Sequence, residues 1–150
     1  MPPRLYKRPR ALPAHPDLEV RSYEAAYPLF AQHESVPYPT FETVVPQWDN
    51  TARTGPRAVV LHGSTPESYE KWLHEVLVRT LERPKEQRVV FVNAWNEWGE
   101  GCHLEPDRRW GHAYLEATRR ALERASAAPR TTHPDVAGDL LASLLLEDAR

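Results

Sequence analysis

Apolar residues follow the periods of strands and helices along the second half of the chain. A continuous apolar run at 88–93, Arg-Val-Val-Phe-Val-Asn, is typical of a strand buried on both faces of a parallel sheet. A shorter run at 58–61 precedes a Gly-Ser-Thr loop. Apolar residues recur at helical spacing over 66–81 and again over about 110–127. This order of elements, in which strands alternate with helices, predicts an α/β fold with parallel strands. A flavodoxin-like sheet is the alternative, although no Gly-rich phosphate loop supports it.

Both predicted helices carry further signals. Thr65 suits the N-cap of the first, Pro66 its first turn, and Glu67 the acid of a capping box. The side of the second helix that we expect to face inward consists of Tyr114, Leu115, Thr118, Ala121, Leu122 and Ala125.

Proline divides the chain unevenly, because nine of its 15 prolines lie in the first 46 residues. Each proline fixes φ and lacks an N–H donor, so we expect short elements here. Residues 18–23 alternate like a strand, 22–33 fit a helix, and 43–46 fit a short buried strand. The pattern predicts three parts, namely a proline-rich lead-in at 1–36, an α/β part at 37–127 and a helical tail at 128–150.

Composition and charge exclude several classes of protein. A formal charge of -2 and the lack of a basic stripe disfavour a nucleic-acid partner. The single cysteine, Cys102, excludes an internal disulfide framework and a multi-cysteine zinc site. The N-terminus has no apolar signal region, and the longest apolar stretch, 140–146, is far shorter than a membrane span. We expect a cytoplasmic protein without a transmembrane segment, metal ion or cofactor.

The densest cluster of reactive side chains lies at 93–107 and reads Asn-Ala-Trp-Asn-Glu-Trp-Gly-Glu-Gly-Cys-His-Leu-Glu-Pro-Asp. It directly follows the strand predicted at 88–93, where α/β folds place active sites. Glycosyl transfer requires paired carboxyl groups, and Glu97 and Glu100 are the candidates. Glycines at 99 and 101 would let the backbone aim both into one cleft. The candidate substrate-binding residues here are Asn93, Trp95, Asn96, Trp98 and Glu105.

A second candidate cluster follows the 43–46 run. Trp48 could stack on a sugar ring, and Asp49 and Asn50 could bind its hydroxyl groups. Arg53 could hold an acidic sugar, a phosphate or Asp49 itself. The structural alternative is an Asx-type turn with a salt bridge.

Other interpretations of the 93–107 segment stay open. A Glu-rich loop after a strand is often only a solvated connection. Cys102 and His103 could suggest a thiol nucleophile, although neighbouring residues rarely point at each other. His103, Glu105 and Asp107 could ligate a metal, but their alternating spacing is a weak signal.

The two clusters together resemble the WbsX-like family, which is described as glycosyltransferases of bacterial surface-polysaccharide synthesis and is similar to glycoside hydrolase family 99. The resemblance runs from about 37 to about 125 and rests on Trp-Asp-Asn-Thr-x-Arg at 48–53, Asn-Glu-Trp-Gly-Glu-Gly at 96–101 and Leu-Glu-Pro-Asp at 104–107. It implies that Glu97 assists attack by the sugar's own 2-hydroxyl and that Glu100 is the general acid/base. The hydrolase pattern has histidine at position 99, where this chain has glycine, so mannosidase specificity does not carry over.

The resemblance also implies the C-terminal part of a (β/α)8 TIM-type barrel, incomplete and followed by a helical tail. The substrate would be a glycan or a nucleotide- or lipid-linked sugar, and a separate chain could supply the missing half-barrel. The alternatives are a truncated, non-catalytic remnant or glycan-binding fragment, and a cytosolic interaction protein. In an open half-barrel we expect apolar strand residues to be exposed, namely Val44, Val45, Val59, Leu61, Val90 and Val92.

Overall fold

The computed structural model describes residues 17–30 and 36–127. Its strands are β1 (Glu19–Ser22), β2 (Glu42–Val44), β3 (Trp48–Asp49), β4 (Val59–His62), β5 (Val90–Val92), β6 (Asn96–Glu97) and β7 (Cys102–His103). Its helices are α1 (Tyr23–Phe30), α2 (Thr51–Thr54), α3 (Pro66–Leu81) and α4 (Ala113–Ala127), with 3-10 turns at Gly55–Arg57, Lys85–Gln87 and Trp98–Glu100. The predicted α/β class is confirmed. The predicted tail at 128–150, including its helix at 135–147, lies outside the described residues, as do residues 1–16 and 31–35.

Two parallel strand pairs form the framework. β1 runs alongside β4, and β2 runs alongside β5. β3 pairs antiparallel with β4, on the side of β4 that faces away from β1. β6 and β7 form a separate antiparallel pair. Each parallel pair therefore joins strands that are separated along the chain, whereas each antiparallel pair joins consecutive strands. The described residues do not form a closed barrel. Parallel pairs place the C-terminal ends of their strands at one edge, which positions the loops described below.

The core lies between the strands and the helices α1, α3 and α4. Trp72 and Tyr69 of α3 are fully buried, and the rings of Tyr23 and Trp72 meet edge to face with centroids 5.6 Å apart. The Tyr23 hydroxyl donates to the Val45 carbonyl at 2.6 Å, so the polar end of this buried ring is satisfied. The predicted lead-in thus contributes β1 and α1 to the same core.

Helix α3 begins as predicted but with a different capping box. Thr65 Oγ1 accepts the N–H of Ser68, and the Ser68 hydroxyl accepts the N–H of Thr65. Ser68 is the third residue of the helix, so it closes the box, whereas Glu67 stands one position too early. The helix ends at Leu81, before the Arg83-Pro84 stop.

Helix α4 begins later than predicted, and three of the six residues predicted to face inward, Tyr114, Ala121 and Ala125, are buried. It starts at Ala113 because the preceding residues form a turn on Asp107, whose carbonyl accepts the N–H of Gly111. The buried side is Tyr114, Ala117, Ala121 and Ala125. Leu122 is 48% exposed, so its predicted inward position is wrong. Small alanine side chains let α4 approach α3 closely, which the larger leucine would prevent.

The expectation of exposed inner strand residues is also wrong in part. Val44, Val45 and Leu61 are buried, because α1 and α3 pack over these strands. Exposed apolar residues are found instead at Phe91 on β5 and at Val89, which directly precedes β5. The Phe91 ring meets the Phe41 ring edge to face. Within 17–30 and 36–127, no helix is both long and apolar enough to cross a membrane.

Candidate active site

The two predicted clusters meet at one edge of the structure. One follows β2, the other follows β5, and these strands are parallel neighbours. The backbones of the two clusters come close together at Gly101, where a Cβ would lie 3.2 Å from the Cβ of Asp49 and 3.3 Å from its backbone N and O. Gly101 also has a positive φ of 54°, which L side chains rarely adopt. Glycine is therefore required here, and it lets the carboxylate-bearing loop rest on the Asp49 backbone.

Arg53 joins the two candidate catalytic carboxylates. Its Nη2 lies 2.7 Å from Glu97 Oε1, and its Nη1 lies 3.3 Å from Glu100 Oε1. Arg53 therefore does not hold Asp49, which was one of its predicted partners. One planar guanidinium group spans both carboxylates, so their relative position is defined by a residue from the first cluster. The Arg53 side chain is 54% exposed, which leaves it free to move when a ligand arrives.

Gly99 makes room for this arginine. A Cβ at Gly99 would lie 3.0 Å from Arg53 Nε and 3.5 Å from Glu97 Oε1. Its backbone needs no positive φ, so the predicted role in a tight turn belongs to Gly101 and not to Gly99. The glycine at position 99 thus permits the Arg53 bridge.

Trp98 is held as a fixed aromatic surface. Its ring stacks on His103 with centroids 3.7 Å apart and planes inclined by 20°. The indole Nε1–H donates to Glu105 Oε2 at 2.7 Å. Half of Trp98 remains exposed. An aromatic ring supported on one face and tied at its N–H can present its free face to a sugar without losing much conformational entropy.

His103 in turn rests on polar partners. It is 7% exposed, its Nε2 lies 3.1 Å from Asp107 Oδ2, and its Nδ1 lies 3.4 Å from the side-chain nitrogen of Gln47. Burial alone would raise the pKa of the Asp107 carboxyl, but hydrogen bonds from the Trp110 N–H, from His103 and from the Arg109 N–H outweigh it and hold that pKa below its ordinary value. Asp107 is therefore a stable anchor for the imidazole.

Asp49 and Asn50 also have local structural roles. Asp49 Oδ1 accepts from the N–H of Thr51 at 3.0 Å and from its hydroxyl at 2.7 Å, which is the Asx-type turn of the structural alternative. Asn50 Oδ1 accepts the N–H of Val59 at 2.8 Å. The Asn50 amide is thus tied to β4, while Asp49 stays exposed beside the carboxylate loop.

The remaining predicted ligands lie around this centre. Asn93 and Trp48 line one apolar cavity of about 300 Å³ between β2 and β4. Trp95 is 52% exposed, and its carbonyl accepts the N–H groups of Leu104 and Glu105. Asn96 is exposed in β6, opposite His103. These residues frame the site without contacting Arg53.

The geometry does not favour the thiol or metal alternatives. Burial raises the pKa of the Cys102 thiol to about 12, so little nucleophilic thiolate forms near neutral pH. The thiol also donates a hydrogen bond to the Asn93 carbonyl. Glu105 is engaged by Trp98, and His103 by Asp107. No group of three potential metal ligands is found among the residues that the structure describes.

Comparison with known proteins decides the family. A family model described as Glycosyltransferase WbsX matches residues 6–118. The chain belongs to this family. The match begins earlier than the resemblance at about 37–125 had predicted, and its range includes Arg53, Glu97 and Glu100.

Two curated relatives are similar to the chain over most of its length. It is 46% identical over 105 residues to "Uncharacterized protein WxcX" of Xanthomonas campestris pv. campestris, in strain B100 and in strain ATCC 33913. The alignment covers 69% of this chain but 14% of WxcX, so the chain spans a small part of these relatives. No solved structure matches it.

The sequence interpretation missed the groups that support the site. Gln47 and Asp107 hold His103, and His103 carries Trp98. A usable signal was present, since Gly101 indicates a turn that brings the segments with Trp98 and His103 together, and diagonal neighbours across such a turn are within reach of aromatic side chains. Arg109, which lines the cleft beside Gly101, was also missed.

Proposed function

We propose that the chain carries the carboxylate pair of a carbohydrate-active enzyme that transfers or hydrolyses glycosyl units of a bacterial surface polysaccharide. The observation that carries this proposal is the Arg53 guanidinium, which spans Glu97 and Glu100. Two carboxylates brought together from one glycine-rich loop and oriented by a third side chain are what glycosyl transfer requires. Membership of the WbsX family supports a sugar substrate.

The two glutamates take separate roles in this proposal. Glu97 accepts the proton of the sugar's 2-hydroxyl as that oxygen attacks the anomeric carbon. Glu100 donates a proton to the glycosidic oxygen as its bond to the anomeric carbon breaks. In the second step Glu100 accepts a proton from the water or sugar hydroxyl that attacks the anomeric carbon. The bond between that carbon and the 2-oxygen then breaks, and Glu97 returns its proton to the 2-oxygen. Before the substrate enters, Arg53 orients both carboxylates. When the substrate enters, the Arg53 side chain moves away from Glu100, which its exposure allows.

Neighbouring residues would bind the substrate. Trp98 offers its free face for stacking, Asp49 lies against Gly101 in the carboxylate-bearing loop, and Trp95 and Asn96 directly precede Glu97. Trp48 and Asn93 line the apolar cavity between β2 and β4. The substrate is a glycan or a nucleotide- or lipid-linked sugar, and we place the reaction in the cytoplasm. That location is consistent with a single, buried, reduced cysteine.

We further propose that the described strands belong to an incomplete (β/α)8 barrel. Parallel pairing in β1–β4 and β2–β5, with helices packed outside, supports this architecture. β5 has no second neighbouring strand among the described residues, and Val89 and Phe91 are exposed on and beside it. Additional strands, from this or a separate chain, would cover that edge.

Amide NMR spectra of the 15N-labelled chain during titration with mono- and disaccharides test the location of the site. We expect shifts concentrated at Gly99 and Gly101, which adjoin the carboxylates, and none at Gly111, which lies in the turn before α4. Shifts confined to Gly111, or no shift with any sugar, would contradict the proposal.

A second candidate function is a non-catalytic remnant or glycan-binding fragment. The observation that favours it is that two tryptophans, Trp95 and Trp98, are exposed beside the carboxylates, where they could bind a sugar without turnover. Sugar binding that persists without turnover in a protein with the complete barrel would support this candidate instead.

A further inference from the structure

A polar cleft adjoins the carboxylate pair on the side opened by Gly101. It has a volume of about 340 Å³, near the lower end of the ~300–1,000 Å³ typical of small-molecule sites. Its wall includes Gly101, which directly follows Glu100, together with Trp48 and Asp49. A molecule bound in this cleft would therefore contact the loop that carries the catalytic glutamates. We call it the Arg109 cleft, because Arg109 also lines it.

Arg109 differs from the other arginines near the site. Arg53 is paired with Glu97 and Glu100, and Arg120 is paired with Glu70. Arg109 makes no ion pair with a carboxylate within 17–30 and 36–127; its guanidinium lies over the Trp110 ring at 4.8 Å. Its backbone is fixed, since its N–H donates to Asp107 Oδ1 at 2.8 Å. The cleft thus contains a cation, the Arg109 guanidinium group, whose own N–H donors are not used by a protein carboxylate.

The neighbouring carboxylates are already engaged. Asp49 Oδ1 accepts two hydrogen bonds from Thr51, and Asp107 accepts bonds from His103 and from the N–H groups of Arg109 and Trp110. The other polar lining groups, Gln47, His62 and Ser64, suit the hydroxyl groups of a sugar. A guanidinium group binds carboxylate or phosphate through two parallel N–H bonds, and it gains more from a charged acceptor than from a hydroxyl.

We propose that the Arg109 cleft binds the part of the sugar substrate that carries an anionic group, and that the Arg109 guanidinium binds this group. The anion is either the carboxylate of an acidic sugar or the phosphate of an activated sugar. The inference rests on the proposed function, because it assigns the cleft to the same substrate. It adds a subsite, a chemical class of ligand and a specificity-determining residue.

Binding of four probes to the 150-residue chain tests this inference. The probes are glucose, glucuronate, glucose 1-phosphate and inorganic phosphate, at one constant ionic strength, and tryptophan fluorescence reports binding because Trp48 lines the cleft. We expect at least one anionic sugar to bind about tenfold more tightly than glucose. Arg109→Gln should remove that preference. Arg108→Gln, the matched control, should keep it, because Arg108 is exposed and does not line the cleft.

The outcomes separate this inference from the proposed function. If glucuronate is preferred, the anion is a carboxylate, and if glucose 1-phosphate is preferred, it is a phosphate; both results support the subsite. Equal affinity for glucose and the anionic sugars, an equal loss in Arg108→Gln, or equal binding of inorganic phosphate and glucose 1-phosphate would overturn it. Glucose binding without a charge preference contradicts the subsite alone. Failure of every sugar to bind contradicts both proposals.

Discussion

Arg53 Nη2 lies 2.7 Å from Glu97 Oε1, although 44 positions of sequence separate the two residues. The contact joins helix α2 to strand β6 and places a cation on the candidate catalytic base. Since the same guanidinium also reaches Glu100, the catalytic pair in this account is a three-residue unit.

Replacing Arg53 should impair function far more than stability. Arg53→Gln removes the group that orients both carboxylates, and we expect turnover to fall about 10- to 100-fold. The side chain is 54% exposed, so the free energy of unfolding should change by less than about 1 kcal/mol. Steady-state kinetics and urea denaturation measure the two effects. Arg57→Gln, an exposed arginine nearby in the chain, is the control, and an equal loss of turnover there would contradict a specific role for Arg53.

The two loop glycines should respond differently to alanine. Gly101→Ala forces a side chain into a positive φ and against the Asp49 backbone, which should cost roughly 1–2 kcal/mol of stability or more. Gly99→Ala meets only the ends of the Arg53 and Glu97 side chains, so stability should change by less than about 0.5 kcal/mol while turnover falls as in Arg53→Gln. Denaturation midpoints and turnover of the two variants are compared directly. The reverse order of stabilities would show that these glycines have been assigned the wrong roles.

The stack of His103 on Trp98 should set sugar affinity. His103→Ala leaves the indole unsupported on one face, so we expect several-fold weaker sugar binding and a reduced near-ultraviolet circular dichroism signal from Trp98. His103→Phe keeps an aromatic ring beneath Trp98 and should retain most of the affinity. If His103→Ala binds sugar as tightly as His103→Phe, the stack of His103 on Trp98 does not contribute to sugar binding.

The charge on Asp107 should make stability depend on pH. Although burial opposes it, hydrogen bonds from Trp110, His103 and Arg109 lower the pKa of Asp107 below its ordinary value of 3.8. The folded state therefore binds this proton less readily than the unfolded state, and the stabilisation is present above about pH 4 and disappears as the pH falls through the lowered pKa. Asp107→Asn should be less stable than the wild type at pH 6, with a difference that shrinks on acidification. A difference that stays constant from pH 6 to pH 2 would contradict this.

The sequence predicted the elements that local signals determine. β5 was placed at 88–93 by its apolar run and is found at Val90–Val92. Helix α3 was bounded by its cap and by the Arg83-Pro84 stop, as observed. The inward face of α4 was wrong at Leu122, because the close approach of two helices selects small residues and hydrophobic periodicity alone favours large ones.

The candidate site was only partly accessible to sequence reasoning. The sequence spacing predicted that Glu97 and Glu100 act as a pair, since they share one loop. It left the partner of Arg53 open, because contacts over 44 positions depend on how β2 and β5 pair. The role of Gly99 was likewise invisible, since its neighbour in space is that same arginine.

The most direct test of the central claim is the turnover of surface-polysaccharide oligosaccharides by Glu97→Gln and Glu100→Gln in a protein that contains this chain and the strands proposed to complete its barrel. Glutamine keeps the shape but cannot exchange the proton, so each substitution should lower turnover by roughly 10²–10⁴-fold with a nearly unchanged melting temperature. Glu123→Gln, an exposed glutamate on α4, is the control and should keep the full rate. Full turnover in either loop variant would contradict the assignment of Glu97 and Glu100 as the catalytic pair.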